Sequence, residues 1–193
     1  QVVRIDAGPT HRLKDTTRDR AIVTYDAHAD IFFADPPFFI VAGAIPVSEN
    51  MGANWNGVAA STTDADRTAS QQPEADGHAT CGELYDWYFA IGCHVGWDNN
   101  RYPTKPPQTI NFVAHAFDAS LGTSRSANSR FDLKQIGGEF IGCIVCFDGD
   151  PPAVTQNGVA CDYVAGSRAL VAHEYQHGVT HFSVDNVAGN PGG

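Results

Sequence analysis

The 193-residue sequence predicts an α+β fold, in which a β-rich lobe at 1–165 is followed by a helix at 166–185. Short apolar runs rich in Val, Ile and Phe alternate with Gly, Pro and polar breakers, a pattern typical of strands. Apolar residues recur at helical spacing over about 76–95, which predicts one long helix inside this lobe. Residues 186–193 are rich in Gly, Pro and Asn, so we expect them to form a loop.

The predicted elements follow in order along the chain. Before the long helix, apolar runs predict strands at Val2–Ile5, Ala21–Tyr25, Ile31–Phe33 and Phe38–Val41. Residues 46–72 are rich in Asn, Ser, Thr and Gly and indicate a loop, after which Asp76 can cap the long helix. Two further strands are predicted at Thr109–His115 and Glu139–Phe147, separated by the polar segment Ser120–Asp132.

The charge balance of the chain argues against one class of partner. Lys and Arg total 12 against 22 Asp and Glu, which gives a formal net charge of −10. No basic stripe is available to neutralise phosphates, so nucleic acid is not an expected ligand. No run of eighteen apolar residues exists, so no membrane-spanning helix is predicted. No basic and apolar signal segment starts the sequence, and we expect a secreted, extracellular protein whose export signal has been removed.

The chain has five cysteines, and this odd number predicts that one thiol is free or bonded to another chain. Cys143 and Cys146 form a C-x-x-C motif within a predicted strand, where residues three apart face opposite ways. A shared metal or redox pair at this motif is therefore not expected. A disulfide from Cys143 or from Cys146 to Cys161 is the favoured bridge, and the sequence does not choose between the two.

The most informative motif is H-E-x-x-H, formed by His173, Glu174 and His177. Histidines four residues apart project from one face of a helix, roughly 6 Å apart along its axis, and can bind one zinc ion together. Glu174 can reach a water on that ion and act as general base. The small apolar run Ala169–Ala172 indicates a buried helix, and Gly166–Ser167 offers its start.

A catalytic zinc ion needs three protein ligands, and this motif supplies two of them. On a continuous helix His181 lies roughly 12 Å from His173, so we expect it at the rim of a cleft rather than on the ion. Asp185 is a slightly better third ligand, because a turn could return it towards the ion. The sequence leaves the third ligand open.

Four segments, in order over residues 18–183, resemble the N-terminal half of the thermolysin-like neutral zinc metallopeptidases. They are Thr24–Ala27, Asp76–Tyr88, Phe147–Asp150 and His173–Thr180. The resemblance implies the β-rich N-terminal lobe of a thermolysin-like zincin. It also implies that the zinc-binding helix near the C-terminal end forms the floor of an active-site cleft.

The same resemblance assigns roles to individual residues. It implies that His173 and His177 bind zinc, and that Glu174 polarises the attacking water and passes its proton to the leaving amine. It implies that Asn128 holds the backbone of a peptide substrate. Ser129 follows Asn128 and corresponds to the residue whose carbonyl assists the nucleophile.

Two metal-binding features of that family are altered in this chain. The family's third zinc ligand is a glutamate on the next helix, at a position that falls past Gly193. We therefore expect a C-terminal helical lobe, on a separate chain or elsewhere in the protein, to supply it. Ala169 stands where the family has an aspartate for paired calcium ions. Asp64 and Asp66 match a single-calcium loop, for which a solvated loop is the alternative.

These observations support two functional hypotheses. The first is a secreted zinc metalloendopeptidase that hydrolyses peptide bonds of a peptide or protein substrate, with Glu174 as general base. The alternative is a non-catalytic zincin-like lobe that acts as a structural or binding module. The intact motif favours the enzyme, because a buried Glu174 without metal or partner would cost stability.

Overall fold

A computed structural model describes residues 5–6, 11–27, 35–50, 71–92, 95–98, 108–116, 128–148, 155–156, 159–160 and 164–188. The strands in these ranges are β1 (Ile5–Asp6), β2 (His11–Asp15), β3 (Ile22–Asp26), β4 (Glu49–Asn50), β5 (Ile110–Ala116), β6 (Ser129–Ile136), β7 (Glu139–Phe147), β8 (Thr155–Gln156) and β9 (Val159–Ala160). The helices are α1 (Pro36–Val41), α2 (Gln72–Gly92) and α3 (Arg168–Ala188), and a 3₁₀ turn at Val164–Gly166 precedes α3. This mixture of sheet and helices confirms the predicted α+β class.

The main sheet has the strand order β1-β2-β3-β5-β7-β6. Strand β4 pairs with the first two residues of β2, His11 and Arg12. The three strands β3, β5 and β7 run parallel to one another, whereas β6 is antiparallel to β7 and lies at the end of this order. The carboxyl ends of β3, β5 and β7 therefore meet at one edge of the sheet. The start of β6 lies at that same edge, because Ser129 pairs with Cys146 near the end of β7.

Helices cover both faces of this sheet. On one face, Phe112 of β5 and Ile144 of β7 join a cluster with Val171 and Tyr175 of α3. On the other face, Val113 and Val145 belong to a second cluster, against which residues of α1 pack. A buried hydrogen bond of 2.8 Å between Thr24 Oγ1 and His78 Nδ1 also ties α2 to β3. Among the described helices, none combines the length and apolar character that a membrane crossing requires.

Two of the sequence predictions fail at polar or proline-rich positions. Phe38–Val41, a predicted strand, lies in α1, because the Asp35 side chain accepts a hydrogen bond from the Phe38 N–H and prolines occupy the first turn. The polar segment Ser120–Asp132 was placed between two strands, but a further strand, β6, begins within it at Ser129. Gly137 and Gly138, with φ of +62° and +87°, form the two-residue turn that joins β6 to β7.

The other predicted elements are recovered with shifted ends, except that Val2–Ile5 lies outside the described residues apart from Ile5, in β1. The long helix spans Gln72–Gly92 rather than 76–95, and α3 spans Arg168–Ala188, so 186–188 are helical rather than part of a loop. The strand Glu139–Phe147 is confirmed. Ile31–Phe33 lie outside the described residues. The division at residue 165 and the C-terminal lobe remain predictions.

The cysteines of β7 behave as the strand predicts. Cys143 packs in the cluster on the α1 side of the sheet, and Cys146 packs in the cluster beneath α2 and α3, so the two thiols face opposite ways. Both are free and buried, as is Cys81, and the favoured bridge from Cys143 or Cys146 to Cys161 was therefore wrong. The hydrophobic surroundings of each thiol explain why it packs as a small apolar side chain.

Close contact between α2 and the sheet generates a prediction about Gly77. A Cβ at this position would overlap the ring of Phe112, which is fully buried. We expect Gly77→Ala to lower the free energy of unfolding by about 2 kcal/mol, since overpacking outweighs the gain in helix propensity. Gly92→Ala is the matched control, because a Cβ there meets nothing within 4 Å. Denaturant unfolding of both variants checks this, and equal stabilities would refute the close approach.

Candidate metal centre

Helix α3 begins where the sequence provides a cap. The Leu170 N–H donates to Ser167 Oγ at 3.4 Å, and the Ser167 N–H donates to the Val164 carbonyl at 2.9 Å. The buried face of the helix then carries Val171, Tyr175, Val179 and Phe182, at helical spacing. His173 and His177 lie between these positions and are thereby placed on the solvent-facing side.

Gly178 lets this helix approach the sheet closely. A Cβ at Gly178 would lie 2.9 Å from a ring carbon of Trp97 and 3.0 Å from one of Phe131. The fully buried ring of Tyr175 stacks on Tyr88 of α2, with centroids 5.5 Å apart. These contacts along the buried side of the helix fix its rotation, and so fix the directions in which the motif side chains point.

The two motif histidines converge on one point. His173 Nε2 and His177 Nε2 lie 3.0 Å apart, with the rings perpendicular. Both side chains are exposed. Two ligand nitrogens at about 2.0–2.1 Å from a tetrahedral zinc ion would be about 3.3 Å apart, close to this separation. The donor pair therefore fits a zinc ion.

Glu174 is buried beside the histidines, with 5% of its surface exposed. The Ser129 hydroxyl donates a hydrogen bond of 2.9 Å to Glu174 Oε1. One ligating atom each from His173, Glu174 and His177 lie within 4.8 Å of one another. The carboxylate therefore lies beside the point on which the imidazoles converge, where a general base for a metal-bound water would have to be.

Ser129 makes a contact that the resemblance did not imply. Its hydroxyl contacts the motif, and no pattern in the sequence indicated a Ser129–Glu174 hydrogen bond. The role of its carbonyl stays a prediction. Asn128 is exposed and precedes strand β6, and its side-chain oxygen accepts a 2.9 Å hydrogen bond from the Ser129 N–H. This bond fixes the chain at the point where β6 enters the site.

A cleft of about 670 Å³ connects these groups. It is lined by Asn128, Ser129, Arg130, Phe131, Leu133, Leu170, His173, Glu174, His177 and His181. The structure therefore brings together five site residues that the sequence proposed from two distant segments. Arg130 was not foreseen; it forms a 2.8 Å ion pair with Asp132, so its charge is shared with a neighbouring carboxylate.

His181 lies at the rim of this cleft, as the helix spacing predicted. Its ring contacts those of Phe140 and Phe182 and is not part of the metal-ligating group. In the described part of the chain, the group consists of His173, Glu174 and His177, and no residue from outside the motif joins them as a further zinc ligand. Asp185 as a ligand stays a prediction. The predicted calcium residues Asp64 and Asp66 lie outside the described residues.

Comparison with known proteins gives one distant similarity. No protein-family model matches the chain, and no curated protein matches its sequence. Among solved structures, it is similar to the precursor of protealysin, a metalloproteinase from Serratia proteamaculans, with 16% sequence identity and a TM-score of 0.47. The match covers 88% of this chain but only 37% of that one. A similarity this distant establishes neither the family nor the activity of the chain.

The convergence of the two imidazoles predicts which histidines control metal affinity. We expect His177→Ala to weaken zinc binding by more than the roughly 10- to 100-fold that loss of an outer contact costs. His181→Ala, one helical turn further on, should leave the affinity unchanged. Competition titration against a zinc-sensitive chelator checks this, and an equal effect of the two variants would contradict the shared site.

Proposed function

We propose that this chain is the N-terminal part of a secreted zinc metalloendopeptidase of thermolysin type, which hydrolyses peptide bonds in peptides or proteins. One observation carries the proposal: two convergent imidazoles lie beside a buried glutamate at the wall of an open cleft. His173 and His177 would hold the zinc ion. The acidic composition and lack of a basic stripe agree with a secreted hydrolase that acts on protein rather than on nucleic acid.

When bound, zinc lowers the pKa of water and polarises the carbonyl of the scissile bond. Glu174 then accepts the proton of the attacking water and delivers it to the leaving amine. The Ser129 hydroxyl donates to Oε1, and the lone pairs that remain on the carboxylate can accept the proton. A hydrogen bond to one oxygen fixes the plane of the carboxylate, which keeps the proton acceptor aimed at the cleft.

The start of β6 provides the substrate side of the cleft. Asn128 is exposed there, and its amide can donate to the carbonyl of an extended peptide. Because β6 lies at the end of the strand order β1-β2-β3-β5-β7-β6, a peptide can add to it as a further strand. Phe131 and Leu133, from the same strand, give the cleft an apolar section that suits a hydrophobic side chain of the substrate.

The complete catalytic centre requires a third zinc ligand. We infer that a C-terminal helical lobe supplies it, as a further part of the protein or as a separate chain. Such a lobe would close the cleft from the side opposite β6. We also propose that Asp64 and Asp66 bind a stabilising calcium ion, because paired aspartates are typical calcium ligands.

Glu174→Gln tests the assignment of the general base in the protein expressed in full. We expect hydrolysis of an unstructured protein substrate to fall by about 10²- to 10⁴-fold, because Gln cannot accept the proton. Zinc content should be unchanged. Glu83→Gln is the matched control, since Glu83 lies on α2, bridges Arg168 at 3.2 Å and is not part of the metal-ligating group.

Unchanged hydrolysis in Glu174→Gln would sink the role of this residue. A different result would favour the non-catalytic alternative: stoichiometric zinc in wild type with no hydrolysis of any peptide in either protein. In that case the motif would hold a structural ion, and the cleft would serve as a binding surface.

A further inference from the structure

A second group of metal-ligating side chains lies apart from the histidines of α3. One ligating atom each from Asp26, Glu74 and His115 lie within 4.8 Å of one another. Asp26 ends β3, His115 is the penultimate residue of β5, and Glu74 lies in the first turn of α2. Three elements that are distant in sequence thus place one side chain each at the edge where the parallel strands end.

The backbone of β5 is bent to aim His115 at this group. Along the strand, Phe112 and Ala114 pack beneath α2, whereas Val113 and Ala116 pack on the α1 side. Simple alternation would therefore direct His115 away from α2. Instead the register with β7 shifts between Val113 and Ala116, and His115 adopts a φ of +53°. This bulge turns the imidazole towards Glu74. A positive φ is uncommon for a residue other than glycine.

The two nitrogens of His115 have different surroundings. Nδ1 is hydrogen-bonded to Asp148 Oδ1, directly after β7. Nε2 lies 3.3 Å from Glu74 Oε2, longer than the 2.7–2.9 Å or so of a good charge-assisted hydrogen bond. A separation of about 3.3 Å is the one expected between two ligands of a tetrahedral zinc ion. A carboxylate that orients a histidine through its other nitrogen is also the usual arrangement around metal-binding imidazoles.

The charges within this group favour a cation. Glu74 and His115 are each 1% exposed, and Asp148 is 4% exposed. Asp148 Oδ2 is buried without a hydrogen-bond partner among the described residues. With Asp148 added to the carboxylates of Asp26 and Glu74, even a protonated His115 would bring one positive charge to three carboxylates. A carboxylate as buried as Glu74 is stable in its ionised form only with hydrogen bonds or a nearby positive charge.

We propose that Asp26, Glu74 and His115 form a second metal site, which takes a divalent transition-metal ion of the zinc class. One imidazole and two carboxylates are a donor set that suits zinc or manganese. Because the ligands come from β3, β5 and α2, the ion would clamp the start of α2 to the ends of two strands. Asp148 is a positioning residue that holds the imidazole through Nδ1. The proposal does not depend on the peptidase activity.

The test uses protein in which the first site has been removed by His173→Ala and His177→Ala. After chelator treatment, this double variant is titrated with zinc and with cobalt(II), and bound metal is measured after desalting. We expect about one metal ion per chain and a rise in the thermal unfolding midpoint with added metal. Adding Glu74→Gln should abolish both effects. Adding Glu83→Gln, the same chemical change on the same helix, should leave both intact.

Asp26→Asn keeps the test decisive if Glu74→Gln fails to fold, because Asp26 is only partly buried and lies at a strand end. Folding of each variant is verified by circular dichroism. Loss of metal in folded Asp26→Asn supports the site. The proposal is overturned if the double variant binds no metal, or if folded Asp26→Asn and Glu74→Gln variants bind as much as the Glu83→Gln control. In that case Asp148, His115 and Glu74 form a hydrogen-bonded network alone.

Discussion

The close packing of α3 against the sheet is the constraint on which the candidate site depends. Gly178 permits this approach, because any larger residue would meet the rings of Trp97 and Phe131. With Tyr175 buried on the sheet side, the helix cannot rotate without opening the core. His173 and His177 are thereby held at the cleft, while Glu174 is turned to the start of β6. The packing of Gly178 against Trp97 and Phe131 thus determines the geometry of the candidate metal centre.

Helices α2 and α3 each carry one buried glutamate that contacts a side chain of the sheet. Glu174 of α3 is buried and accepts a hydrogen bond from Ser129, and Glu74 of α2 is buried beside His115. Both carboxylates reach the edge of the sheet where β3, β5 and β7 end and β6 begins. An ionised carboxylate in such a place is stable only with hydrogen bonds or a cation. Burying each of these carboxylates costs folding free energy, and such costs are typical of functional sites.

The sequence predicted the elements whose patterns are local. The spacing of His173 and His177, and the apolar run of β7, could be read directly because helical and strand periodicity act over a few residues. The strand Phe38–Val41 was wrong because Asp35 and two prolines start a helix, and these capping signals outweighed the apolar run. The Gly137–Gly138 pair indicates a hairpin turn, but β6 was not predicted because the residues before this turn are polar.

Contacts between distant segments could not be predicted in this way. The hydrogen bond from Ser129 to Glu174 joins residues 45 positions apart, and the group around His115 joins three elements. His115 was predicted only as the last residue of a strand, because alternation along β5 gives no sign of the bulge that turns it. Such juxtapositions follow from sheet order and register, which single-sequence patterns leave undetermined.

The most direct test of the central claim is the coordination shell of one zinc ion bound to His173 and His177. Zinc K-edge X-ray absorption fine structure would be recorded on the Glu74→Gln variant with one equivalent of zinc, so that only this site is loaded. The account predicts two imidazole nitrogens at about 2.0–2.1 Å. A shell without imidazole scattering, or a shell with a single imidazole, would contradict the shared site.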